Sequence, residues 1–232
     1  MTALDPPVII EPRQSSQGQS ARASVIWLHG LGADGHDFEP IVPELRLAPA
    51  LGVRFVFPHA PLRPVTINAG MIMRAWYDVR SPDLTALEDA ESINASSAIL
   101  HDYIDAEIAR GISSNRIIVA GFSQGGAIAL HAGLRYGQPL GGILALSCYL
   151  PLPQTLANEA KPAQKSTPIL QLHGSSDPVI PVTKGEATRD LLIQSGYTVE
   201  WHSYPMPHSV CAEEIAVISN WLQTRLADEP PA

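Results

Sequence analysis

The sequence predicts an α/β protein in which a mostly parallel sheet lies between two layers of helices. Short β-branched runs recur along nearly the whole chain and are apolar on both faces, and strands of that kind belong in a sheet covered on both sides. Segments of helical period separate them, supplying the crossover connections that parallel neighbours require. With 232 residues, 45% of them hydrophobic, the chain can bury one sizeable core and is short for two.

Taken in order, the strands are Val25 to Leu28, Val53 to Phe57, Arg116 to Ala120, Gly142 to Leu146, Ile169 to Leu172 and Thr198 to Tyr204. The clearest helix is Leu84 to Arg110. Leu84, Leu87, Ile93, Ser97, Leu100, Ile104 and Ile108 recur there at steps that share one face, and Gly111 stops the run. Pro58 to Asp78 reads as a long irregular connection in which Met71, Ile72, Met73, Trp76 and Tyr77 crowd together; a loop that long and that apolar points to function. Residues 157 to 168 read as a polar surface connection. Residues 1–20 are polar and proline-bearing, a loosely held arm with Val8 to Ile10 as an edge strand. Residues 21–226 form the domain, and 227–232 should fray.

A net charge of −8 with 15 scattered Lys and Arg excludes nucleic acid as a partner, because a phosphate backbone is bound through clustered cations. The N-terminus lacks a cationic segment followed by an apolar run, so no signal peptide is expected. The most apolar stretch, Leu140 to Leu150, is too short to cross a bilayer. These features place the protein in the cytoplasm with no integral membrane association. The two cysteines, Cys148 and Cys211, make neither a disulfide framework nor a zinc site and read as reduced thiols.

Two glycine motifs compete to define the chemistry. "SVIWLHGLGADGHDF", residues 24 to 38, runs from a strand into Gly30, Gly32 and Gly35, literally G-x-G-x-x-G. A dinucleotide site needs an acidic residue at the end of the next strand, and "VRFVFPHA" has none. "RIIVAGFSQGGAIALHAGL", residues 116 to 134, instead gives strand, Gly121-Phe122-Ser123-Gln124-Gly125, then helix. That is G-x-S-x-G in the setting a nucleophile elbow requires, where the serine sits on a strained turn and side chains at the flanking glycines would collide with backbone.

A serine hydroxyl needs a base, and the base needs an orienting carboxylate. Both follow in chain order, each in a loop after a strand: Asp177 in "PILQLHGSSDPVIP" and His208 in "TVEWHSYPMPHSV". Parallel strands end on one edge, so the three side chains can converge. The oxyanion formed on attack needs preset N–H donors: Gln124, after the nucleophile, and Leu31, in the glycine loop after the early strand. His173 and His202 are the rival bases, but both fall in or at the end of strands and read as structural. No histidine spacing suggests a metal, and no cofactor is needed. Met71, Ile72, Met73 and Trp76 are candidate contacts for an acyl group. Cys211 reads as a small buried residue.

"HGLGADGHDF", "MRAWYD", "GFSQGGAIAL", "SCYLP", "LHGSSDPVIP" and "HSV", in this order, resemble the carboxylesterase, acyl-protein thioesterase and lysophospholipase-like branch of the α/β hydrolases. The likeness runs from about residue 22 to about residue 222. It implies the α/β-hydrolase fold and cofactor-free hydrolysis of carboxylic esters or acyl thioesters; the stretch from Ser147 to Pro168 is too short for a separate cap domain. By matching position it also implies Ser123 as nucleophile, Asp177 as acid, His208 as base, and Leu31 and Gln124 as oxyanion donors. Pro207 departs from the glycine expected before the histidine, which alters the backbone route there. A small-molecule ester is the expected substrate, with thioesters and lysophospholipids as alternatives; a serine peptidase or a binding protein on the same scaffold stays open. A homodimer stays open.

Overall fold

A computed structural model describes residues 5–12 and 21–227. The expected arm and tail therefore fall largely outside the described residues, since 1–4, 13–20 and 228–232 are not among them. Within the arm, the expected edge strand is present as β1, Val8–Ile10.

Among the described residues the sheet has seven strands. After β1 come β2 (Ala23–Leu28), β3 (Val53–Phe57), β6 (Ile117–Phe122), β7 (Gly142–Leu146), β8 (Ile169–Gly174) and β9 (Val199–Tyr204), in the spatial order β1-β3-β2-β6-β7-β8-β9. β1 runs antiparallel to β3 and every other pairing is parallel. Residues alternate between two buried layers as the strand period requires. Ile26, Leu28, Ile117 and Val119 face one core, while Val25, Trp27, Ile118 and Ala120 face the other. Helices α2 (Ala90–Ala109), α3 (Gln124–Gly133) and α5 (Val182–Gln194) contribute to the first core; α1 (Ile41–Glu44) and α6 (Ala212–Leu226) close the second. Among the described residues no helix is long and apolar enough to cross a membrane.

Three expectations need correction. The helix read from Leu84 begins only at Ala90. Upstream, Asp83 Oδ1 accepts from the Thr85 N–H (3.3 Å) and hydroxyl (3.0 Å), and the Leu84 carbonyl accepts from the Tyr149 hydroxyl (3.2 Å). Such side-chain bonds compete with a helix, and Leu87 lies 61% exposed. The connection from Pro58 to Asp78 is not irregular throughout. It contains an antiparallel hairpin, β4 (Leu62–Val65) and β5 (Met71–Arg74), closed through Ala69 and Gly70 at positive φ. Residues 157–168 include part of a short helix, α4 (Leu156–Glu159), and bury Gln164 completely.

A buried ion pair ties the first core layer to the sheet edge. Arg54 on β3, 3% exposed, reaches Glu107 on α2 at 3.3 Å and also bonds Glu11 beyond β1. Removing Arg54 leaves the buried Glu107 carboxylate with the exposed Arg110 alone, at 3.5 Å. Arg54→Met is therefore expected to cost about 3–5 kcal/mol in urea denaturation, and adding Glu107→Leu should recover most of that loss.

Candidate active site

The candidate residues collect at the C-terminal edge of the parallel sheet. β6 ends at Phe122 and α3 starts at Gln124, so Ser123 alone makes the turn, at φ 55° and ψ −121°. A non-glycine residue held at such a positive φ costs about 1–3 kcal/mol. Close packing imposes it. A Cβ on Gly121 would lie 2.3 Å from the Gly125 carbonyl carbon, and one on Gly125 would lie 2.3 Å from the Leu28 carbonyl oxygen. Strand, helix and neighbouring strand can approach this closely only where both residues are glycine. The Ser123 N–H then donates to the Leu146 carbonyl at 2.8 Å, fixing the turn against β7.

Asp177 lies in the loop after β8 and is 7% exposed. Its Oδ1 accepts from the Val179 and Ile180 N–H groups at 2.8 and 2.9 Å, and its Oδ2 accepts from His208 Nδ1 at 2.6 Å. Three donors on two oxygens leave the carboxylate little rotational freedom. His208 follows β9, and its ring centroid lies 4.6 Å from that of Phe122, the residue before Ser123. With Nδ1 bonded to Asp177, the neutral ring keeps Nε2 as its proton acceptor. Pro207 does not loosen this loop. Its carbonyl accepts from the Ser209 N–H (2.9 Å), and the Met206 carbonyl accepts from the Ser176 N–H (3.2 Å), tying the loop to that of Asp177.

The rival histidines have other partners. His173 is fully buried, donates from Nε2 to the Ile180 carbonyl at 2.8 Å and backs Asp177 Oδ2 at 3.7 Å from the interior; burial lowers its pKa. His202 pairs with Glu200 on the surface at 2.9 Å.

In the glycine loop, Gly30 packs beside the elbow: a Cβ there would be 3.5 Å from Ser123 Cβ. The Gly32 N–H is taken by the Arg74 carbonyl at 2.9 Å. Leu31, between them, is half-buried. Gln124 is the first residue of α3, where an N–H has no carbonyl a turn behind it in the helix.

The four apolar candidates are not brought together. Trp76 is fully buried in the first core layer, whereas Met71 and Ile72 on β5 are 63% and 69% exposed. Met73 lies beside the glycine loop, its sulfur 3.8 Å from where a Gly32 Cβ would be. Cys211 is half-exposed rather than buried; Cys148 is buried against the elbow helix, its Sγ 2.9 Å from a Cβ built on Gly126.

Sequence reasoning missed the supports of the glycine loop. His29 stands at the end of β2, 2% exposed, and bonds both the Gly30 carbonyl (2.7 Å) and the Ala60 N–H (3.0 Å). The Trp76 indole N–H donates to the His29 carbonyl at 2.9 Å. A histidine between an apolar strand and a glycine was the one available signal.

Residues 8–226 match the phospholipase/carboxylesterase family. The chain is 45% identical to acyl-protein thioesterase 1 of Neurospora crassa over 88% of this chain and 87% of that protein. It is 36% identical to carboxylesterase SOBER1 of Arabidopsis thaliana over 89% and 92%. The crystal structure of SOBER1 superposes with a TM-score of 0.85 at 35% identity, covering 89% of this chain and all of that one. That of Zea mays acyl-protein thioesterase 2 gives 0.84 at 30%, covering 95% and 99%. The elbow between β6 and α3, the mostly parallel sheet and these likenesses identify an α/β-hydrolase fold, and the chain belongs to the phospholipase/carboxylesterase family of carboxylic ester hydrolases.

Proposed function

We propose that the protein is a serine carboxylesterase that hydrolyses short- to medium-chain esters, and acyl thioesters by the same chemistry, through an acyl-enzyme. The observation that carries this reading is the 2.6 Å bond from His208 Nδ1 to Asp177 Oδ2, made from loops on the same sheet edge as the strained Ser123. In the proposed reaction Ser123 Oγ attacks the acyl carbon while its proton passes to His208 Nε2. The imidazolium then gives the proton to the departing alcohol or thiol, and water repeats the sequence to release the acid. Asp177 holds the ring in the productive tautomer and stabilises its cation. The amides of Leu31 and Gln124 receive the developing oxyanion. Met73, next to the glycine loop, is the member of the apolar group best placed to meet the acyl chain. We assign the activity to a single domain, residues 21–226, acting in the cytoplasm.

Thioesters are the second substrate class, favoured by the likeness to acyl-protein thioesterases. The test measures kcat/KM on p-nitrophenyl acetate, butyrate and octanoate beside an octanoyl thioester and a matching amide, with fluorophosphonate labelling located by peptide mass spectrometry. Labelling at Ser123 with turnover of the esters is expected. Cleavage confined to chains much longer than octanoate would overturn the chain-length assignment, and comparable turnover of the amide would favour a peptidase.

A further inference from the structure

We propose that His29 and Trp76 are positioning residues which, with the Gln124 side chain, form one buried bracket that sets the spacing between the Leu31 and Gln124 amides. The proposal rests on the reading of Ser123 as nucleophile and of those two amides as its oxyanion donors.

One arm of the bracket is His29. Its Nε2 accepts from the Ala60 N–H at 3.0 Å, so the proton of the neutral ring is on Nδ1, which donates to the Gly30 carbonyl at 2.7 Å. Both bonds together define one tautomer. Burial pulls the pKa of His29 down to about 4, so the neutral ring persists at neutral pH. The peptide joining Gly30 to Leu31 is planar and trans, so its carbonyl and N–H point in opposite directions. Holding the Gly30 carbonyl against the imidazole therefore fixes the direction of the Leu31 N–H.

The other arm is the Gln124 side chain. Its Oε1 accepts from the Trp76 N–H at 2.7 Å and its Nε2 donates to the Tyr77 carbonyl at 2.8 Å, which pins the first residue of α3. Trp76 joins the arms. Its indole N–H donates to the His29 carbonyl at 2.9 Å, its ring lies 5.3 Å from the imidazole, and its own carbonyl accepts from the Ser96 hydroxyl. His29, Trp76 and Gln124 are 2%, 0% and 4% exposed. A chain of satisfied bonds in so dry a setting is stiff. An aromatic side chain that only filled volume would need none of these bonds.

The test uses Trp76→Phe, which keeps the ring and removes the indole N–H, and Gln124→Met, which keeps the donor amide and removes the side-chain bonds. Each is compared with the unmodified protein in kcat and KM on p-nitrophenyl butyrate. Each is also compared in the pKa of the hemiketal oxyanion formed with a carbonyl-13C trifluoromethyl ketone and read by 13C NMR. In that adduct Ser123 Oγ bonds the carbonyl carbon, the carbonyl π electrons move to the oxygen, and the serine proton goes to His208. Displacing a donor by a fraction of an ångström is expected to lower kcat about ten- to a hundredfold with KM little changed. The same factor raises the hemiketal pKa by about one to two units. His29→Asn, whose amide can replace Nδ1 as donor, should retain activity that His29→Leu loses.

Reduced kcat with an unchanged hemiketal pKa in both bracket variants would overturn the proposal, since it would show a role apart from the oxyanion. If Trp76→Phe fails to fold, Gln124→Met decides from the other arm. If the unmodified protein neither forms the hemiketal nor takes fluorophosphonate at Ser123, the nucleophile reading fails and the bracket falls with it.

Discussion

Ser123→Gly is expected to abolish ester hydrolysis and to raise the melting temperature. Loss of the nucleophile from a Ser-His-Asp set lowers kcat by about 10⁶, because the remaining members act only as a unit with it. Stability moves the other way. Ser123 sits at φ 55° and ψ −121°, where a side chain costs about 1–3 kcal/mol and glycine costs nothing. Glycine also adds entropy to the unfolded chain, about 0.5–1 kcal/mol, so the net gain is up to about 2.5 kcal/mol, or up to several degrees in Tm for a chain of this size. Ser123→Ala provides the control, equally inactive but still strained and no more stable than serine. Turnover of p-nitrophenyl butyrate and thermal melts of the three proteins check both halves. Activity surviving in either variant would remove Ser123 from the mechanism, and a glycine variant less stable than the alanine variant by about 0.5–1 kcal/mol would show that the turn stores no strain.

The same stretches that were legible in the sequence are those where local chemistry leaves one option. The apolar runs at 25–28 and 142–146 are strands because both faces are buried, and their lack of polar residues says so directly; in 53–57 the one interruption, Arg54, is buried as well and paired with Glu107. Gly121 and Gly125 announce the elbow because a Cβ at either would overlap backbone. The order Ser123, Asp177, His208 implied a common edge, and the Asp177 to His208 bond is there. The β4–β5 hairpin stayed hidden for a physical reason: Met71 and Ile72 are adjacent, apolar and both exposed, so the inside-outside alternation that reveals a strand is missing. The helix start moved from Leu84 to Ala90 because bonds from distant Tyr149 and Lys184 hold the 83–85 segment. Trp76 looked like a pocket residue from its company. Its partners, His29 and Gln124, lie 47 and 48 residues away, and no periodicity encodes such contacts.

Folding stability is expected to peak near pH 6.5, between two opposing sets of buried groups. His29 and His131, 2% and 0% exposed, have pKa values lowered by burial from 6.5 to about 4 and about 3. The unfolded chain therefore takes up their protons near pH 6.5 while the folded protein refuses them. The unfolded state binds more protons in that window, so stability falls as pH drops from 6.5 and levels off near 3. Each histidine contributes about 3 kcal/mol or more to that loss, at about 1.4 kcal/mol per unit. Glu214 has the opposite sign. It is fully buried at the start of α6, and burial, opposed by the Cys211 backbone N–H near its carboxyl, pushes its pKa up from 4.5 to about 8. The folded protein keeps this proton after the unfolded chain has released it, so stability falls as pH rises from 4.5 to 8. The buried histidines, with His173 shifted in the same direction, outweigh one glutamate below about pH 6.5, and the glutamate dominates above it. Urea denaturation at half-unit intervals from pH 4 to 9 should trace the maximum. Glu214→Gln should flatten the alkaline limb and leave the acid limb intact; an unchanged alkaline limb in that variant would mean that the carboxyl at 214 is already ionised in the folded protein.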